Sequence, residues 1–248
     1  STLIPEDKRI RIVRDWLELP GENRPHLICL YFNEIDDAGH TYGPDAPETG
    51  IAVRKMDAVI GKLVEEVAAT GLAVNFILLS DHGMALVDHT KPLGLPREVD
   101  TTKFVVPRGD AILQLYAKDR SVIMPTYKAL RANANGFKVY LKNELPPRWQ
   151  IGGRDDRYNR VGDIVLIPEP NLIFNITKNP TDRGKHGYDN NRPDMAACFF
   201  AWGPAFKPNT KIRIFDNVHV YPLVARILGL NYDDKIDGKL NVLQSMLR

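Results

Sequence analysis

Three continuous apolar runs of strand length punctuate the chain: HLICLYF (26–32), AVNFILLS (73–80) and AACFFAWGP (196–204). A run without polar alternation suits a strand buried on both faces, as in a parallel sheet. Between the first two runs lies a helical stripe, Val53, Met56, Ile60, Leu63 and Val67, that ends near Gly71. Asp45 and Glu48 stand before it at capping-box spacing, with Asp45 in the N-cap role. Strand, helix, strand at this spacing predicts a right-handed crossover in an α/β sheet. Two more helices are predicted. EDKRIRIVRDWLE (6–18) sets Ile10, Val13 and Trp16 or Leu17 on one face behind Pro5, and Asp216 caps a last helix carrying Val220, Val224 and Ile227 or Leu228 before Gly229.

From 86 to 180 the character changes: prolines recur, the strands AILQLYA and FKVYLK are shorter, and a helix over 124–134 lies between them. This stretch reads as an inserted lobe. No internal repeat or low-complexity tract is present. The 248 residues are 44% hydrophobic and 26% charged, an ordinary globular composition with room for one substantial core. A formal charge of +2 without a lysine- or arginine-rich block gives no reason to expect nucleic acid as a bulk partner, and leaves small anionic substrates open. Cys29 and Cys198 sit inside apolar runs, where cysteine behaves as a small buried hydrophobe, and two cysteines form no disulfide framework. No apolar stretch approaches the roughly 20 residues of a membrane helix. The opening STLIPEDKRI lacks the apolar core of a signal peptide and so says nothing about export.

In open α/β sheets, ligands gather beyond the carboxyl ends of the strands. Two of the three runs deliver an acid and a histidine there. HLICLYF leads into FNEIDDAGHTYGP with Asp36 and His40, and AVNFILLS leads into Asp81 and His82. Before the third run, GKHGYDNN sets His186 among glycines. Asp36 and His40, four apart, share one face of a helical turn, with Gly39 giving room for the turn. Asp81 and His82 converge only if the chain turns sharply at Gly83. Imidazole nitrogen with carboxylate oxygen suits zinc or another borderline divalent metal better than calcium or magnesium. Three histidines and two aspartates exceed one four-coordinate site and suit two incomplete ones, so a two-metal centre is expected. Taken singly, each piece has a plainer reading: a surface or capping pair, a strand-to-turn transition, an exposed histidine. Their joint arrival at strand ends favours the metal reading. His26, His89 and His219 have no such context.

YFNEIDDAGHTYGP, LLSDHGM, and KHGYDN followed by MAACFFAWGPAFK resemble the motifs of the ectonucleotide pyrophosphatase/phosphodiesterase family, a branch of the alkaline phosphatase superfamily. The likeness extends to DWLELPGENRPHL, KVYLKNELPPRW and FDNVHVYPLVARILGL, and Ile35 stands where animal members often carry proline. The resemblance implies an alkaline-phosphatase-like three-layer α/β sandwich with a mostly parallel sheet and an inserted smaller lobe. It implies two zinc ions, one held by Asp36, His40 and His186 and the other by Asp81 and His82. Tyr31 matches an aromatic position that stacks on the nucleobase. The implied reaction is hydrolysis of phosphodiester or pyrophosphate bonds of nucleotides through a covalent phospho-threonine, in an extracytoplasmic enzyme, periplasmic or secreted. No residue here matches the family's threonine nucleophile. Thr2 lies in the leader to the first helix, and Thr41 and Thr90 have the wrong neighbours. The chain is therefore expected to be the carboxyl-terminal part of a catalytic domain, lacking an N-terminal segment that would be its partner. Two rival expectations remain: a phosphomonoesterase or sulfatase-like relative of the same superfamily, or a noncatalytic metal-binding fragment.

Overall fold

In chain order the helices and strands are α1 (Glu6–Leu17), α2 (Glu34–Tyr42), α3 (Pro47–Ala68), β1 (Phe76–Leu79), β2 (Ala85–Leu86), β3 (Phe104–Val105) and β4 (Leu113–Ala117). They continue with α4 (Ile123–Ala132), β5 (Phe137–Leu141), β6 (Ile164–Pro168), β7 (Gly184–Lys185), β8 (Phe199–Trp202) and α5 (Val220–Ile227). The computed structural model describes residues 4–177, 179–233 and 235–248. Thr2 lies outside them. The contacts divide the chain into two units. The first takes residues up to Asn33, Arg54–Asp81 and Ala197–Arg248, and the second takes Glu34–Val53 and His82–Ala196.

In the first unit, α1 begins after Pro5 with Glu6 and Asp7 in its first turn and Arg14 in its last, the charge order that the helix dipole favours. Its apolar face is Ile10, Val13 and Leu17, with Trp16 exposed, because the 3.6-residue period carries Leu17 rather than Trp16 back under Val13. Val13 and Leu17 form a small core with Val67, against which Ile28, Leu30 and Phe76 pack. Lys55–Glu6 at 2.6 Å, Lys62–Asp7 at 2.8 Å and Arg14–Glu66 at 2.7 Å tie α1 to α3 from outside, each a modest term for an exposed pair. A second core holds Phe206, Leu223, Leu243 and Met246 beside α5.

Several expectations change here. α3 starts at Pro47, so Asp45 lies outside its N-cap position, and Val53 of the predicted stripe is exposed. Asp216 does stand at an N-cap, but of a short 3-10 turn preceding α5, and its side chain makes no capping hydrogen bond. The mostly parallel sheet is not what the ladders form. β1 pairs with β8 antiparallel, with Phe76 opposite Trp202 and their rings stacked at 4.9 Å. HLICLYF forms no strand among the described residues. Ile28 and Leu30 face the core while Leu27, Cys29 and Tyr31 are exposed, so only one side of the run is covered. Both cysteines, expected to be buried, are exposed.

Gly61 lies inside α3, and a Cβ built there meets nothing within 4 Å. Gly61→Ala is expected to stabilise the chain by about 0.5–1 kcal/mol, because alanine gives up less backbone freedom in a helix. A raised urea midpoint at unchanged slope would show it.

The second unit is built on a four-stranded antiparallel sheet ordered β3-β4-β6-β5, with AILQLYA supplying β4 and FKVYLK supplying β5. Its core gathers Phe104, Leu113, Leu115, Leu130, Ile164, Leu166 and Phe174. The stretch 86–180 lies wholly in this unit. A separate two-stranded ladder, Ala85 opposite Lys185 and Leu86 opposite Gly184, joins β2 to β7, and α2 packs on β7.

Candidate metal centre

Four of the five predicted ligands belong to the second unit. Asp36 and His40 lie on one face of α2, as their spacing predicts, with His40 Nε2 3.6 Å from Asp36 Oδ2. His82 precedes β2 and His186 follows β7, so the β2–β7 ladder draws together residues more than a hundred apart in sequence. The two imidazoles stack at 3.6 Å between ring centroids, and the ring of His40 stands 5.0 Å from that of His186. His186 Nε2 is 3.9 Å from Asp36 Oδ1. Asp36, His82 and His186 thus place one ligand atom each within 4.8 Å of one another.

That grouping differs from the expected partition, in which His82 stands with Asp81 apart from Asp36 and His186. Asp81 is exposed and belongs to the first unit. Gly83 was expected to turn the chain and converge the pair. It is not in the left-handed region, and a Cβ there would lie 2.2 Å from the Asp194 carbonyl oxygen, so glycine serves close approach at this point rather than a turn. Gly39, likewise, sits within α2 and packs on Met84.

Two ring orientations are set by backbone carbonyls. His40 Nδ1 lies 2.8 Å from Gly184 O and His82 Nδ1 lies 2.9 Å from Gly83 O. A carbonyl only accepts, so in each neutral ring Nδ1 carries the proton and Nε2 keeps its lone pair for a metal. Asp36 Oδ1 is buried and makes no hydrogen bond among the described residues. Donors about 2.1 Å from a tetrahedral ion stand roughly 3.4 Å apart, close to the 3.6 and 3.9 Å separations here. An orphaned carboxylate oxygen facing imidazole nitrogens at this spacing fits a divalent metal of the zinc type.

Sequence reasoning passed over the support beneath these ligands. Lys185 is buried, and its Nζ lies 2.7 Å from Asp110 and 2.6 Å from Asp182. Burial alone would lower its pKa, but the two carboxylates outweigh burial and hold it above the ordinary lysine value. The only signal in the sequence is a lysine standing between Gly184 and His186. Past His186 the chain turns at Gly187, φ 88°, beside a pocket lined by Ile112, Trp149, Ile167, Tyr188 and Asp189. The Tyr188 hydroxyl donates to Leu172 O at 2.7 Å, and burial pushes its phenol well above the usual range. Arg148 pairs with the Asp189 carboxylate. Tyr31 lies in the first unit with 61% of its surface exposed, so it is not a core tyrosine.

A family model described as type I phosphodiesterase / nucleotide pyrophosphatase matches residues 2–189. The chain belongs to this family. Ectonucleotide pyrophosphatase/phosphodiesterase family member 1 of Rattus norvegicus is 33% identical over 247 residues, which cover 92% of this chain and 26% of the relative. A venom phosphodiesterase of Crotalus durissus collilineatus is 32% identical over 254 residues, 97% of this chain and 30% of the relative. Among solved structures, murine ectonucleotide pyrophosphatase/phosphodiesterase 5 superposes with a TM-score of 0.90 at 27% identity, covering 100% of this chain and 65% of that one. An inactive threonine-to-alanine form of the murine protein, in complex with AMP, matches equally well. The chain therefore spans between about a quarter and two thirds of the length of these relatives.

Proposed function

We propose that this chain carries the metal centre of a hydrolase that cleaves phosphodiester or pyrophosphate bonds of nucleotides. The observation that carries the reading is the convergence of a buried, unbonded Asp36 oxygen with His82 and His186. Membership of the phosphodiesterase family supports it, and so does the AMP held by the murine neighbour. The α/β content and the TM-score of 0.90 support the alkaline-phosphatase-like fold class.

Asp36, His40 and His186 would hold one zinc ion, and His82 with Asp81 a second. Bound there, the metals would neutralise phosphoryl oxygens and stabilise the charge that develops on the leaving oxygen. The chain's own contribution is orientation. Gly184 O and Gly83 O fix the tautomers of His40 and His82, and α2 presents the Asp36 carboxylate from the facing side. The pocket beyond His186 supplies an apolar and aromatic wall where an ester substituent would rest. Tyr31, with an exposed ring, is proposed to stack on a nucleobase.

The attack on phosphorus through a phospho-threonine is assigned to no threonine of this chain. Thr41 Oγ1 donates to Asp37 O at 2.8 Å and Thr90 Oγ1 to Asp88 Oδ1 at 2.5 Å, both local bonds unrelated to the ligand cluster. An extracytoplasmic setting fits relatives named as ecto- and venom enzymes. No helix among the described residues is long and apolar enough to cross a membrane.

The test is elemental analysis of the purified chain, paired with hydrolysis of p-nitrophenyl thymidine 5′-monophosphate with and without a chelator. Bound zinc that the chelator removes is expected, together with any turnover the preparation shows. A chain that takes up no zinc, or turnover indifferent to chelator, would overturn the reading.

A further inference from the structure

Lys185 is 8% exposed, and a lysine so buried needs a reason. An ammonium clasped by two carboxylates is often no more stabilising than an apolar side chain of the same length, because desolvation offsets the attraction. Stability alone therefore does not account for the bridge. Its surroundings do. Lys185 is the last residue of β7, and His186 follows it directly. Lys185 goes to Asp110 and Asp182, while His186, the next residue, goes to His82 and Asp36. The residue before, Gly184, offers the carbonyl that accepts the hydrogen bond from His40 Nδ1, and Asp182 Oδ2, held by Lys185, stands 3.7 Å from the same Nδ1. Asp110 is itself fixed to the sheet core, since its carbonyl accepts from Phe174 N at 2.9 Å.

We propose that Lys185 is a positioning residue for the metal centre: the Asp110–Lys185–Asp182 bridge fixes the rotation of β7, so that Gly184 O holds the His40 ring and His186 meets Asp36 and His82. The role rests on the metal reading of those histidines. The Lys185 ammonium is engaged by Asp110 and Asp182. It acts through the two residues on either side of it in the chain.

The test uses the whole chain carrying Lys185→Met, which keeps the side-chain length and removes the charge. Zinc affinity is measured by competition with a chromophoric chelator. The tautomer of the His40 ring is read separately from its imidazole 15N shifts, without metal and at mildly alkaline pH. The expected result is a folded variant whose zinc affinity falls about ten- to a hundredfold, the range for lost supporting contacts, and whose His40 ring passes from one Nδ1–H tautomer to a mixture. A folded variant with both readouts unchanged, or with only its melting temperature lowered, overturns the proposal. If the tautomer changes but neither protein binds zinc, the hold of Lys185 on β7 stands and the metal reading falls. Should Lys185→Met not fold, Asp110→Asn, which keeps the lysine and Asp182, is judged by the same two readouts.

Discussion

Replacing His186 with alanine is expected to lower the zinc affinity of the chain by more than about a hundredfold, beyond the loss typical of a supporting contact. The expectation follows from how many neighbours share this ring. It stacks on His82 at 3.6 Å, stands 5.0 Å from His40, and points Nε2 at the unbonded Asp36 oxygen from 3.9 Å. Removing the ring takes away one donor atom and the imidazole that faces Asp36 Oδ1. Elemental analysis and chelator competition measure the loss, with circular dichroism confirming that the variant folds. Full metal content in folded His186→Ala would mean that the centre is wrongly assigned.

Gly184→Ala is expected to be strongly damaging to the second unit. A Cβ at that position would lie 2.1 Å from the Gly39 carbonyl oxygen and 2.9 Å from its carbon, both backbone atoms of α2 that no rotamer change can move. Either α2 or β7 must shift, and the hydrogen bond from His40 to Gly184 O goes with it. About 3 kcal/mol of destabilisation is expected, the upper end of ordinary overpacking, accompanied by loss of zinc binding. Urea unfolding read beside Gly61→Ala makes the point sharply: the same substitution has opposite signs because one methyl meets solvent and the other meets a carbonyl. Equal stability of Gly184→Ala and the parent would contradict the packing of α2 on β7.

The helices were legible because their information is local. A 3.6-residue stripe marks α1 and most of α3, and the i, i+4 spacing of Asp36 and His40 is preserved in α2. Strand direction was not legible, since an apolar run carries no record of its partner. AVNFILLS and AACFFAWGP were recognisable as strands, but their antiparallel pairing is decided between segments more than a hundred residues apart. HLICLYF misled for a compositional reason: Leu27, Cys29 and Tyr31 are apolar yet lie on its uncovered side, so a one-sided segment read as two-sided. At the site, the candidate histidines could be named from their motifs, whereas the company His82 keeps depends on the β2–β7 register. Lys185 stayed invisible because one of its carboxylates, Asp110, is far away in the chain.

The order in which a ribosome delivers the ligands has its own consequence. Asp36 and His40 leave the tunnel early, His82 follows, and His186 is added 150 residues after Asp36. At roughly 5–20 residues per second that is an interval of about eight to thirty seconds. During it, α2 carries its carboxylate and imidazole with neither β7 nor His186 yet made. On the proposed reading, the site that Asp36 shares with His186 is completed only at the end of that interval. A chain stalled before Lys185 would carry Asp36 and His40 on α2 without the ring of His186 to meet them.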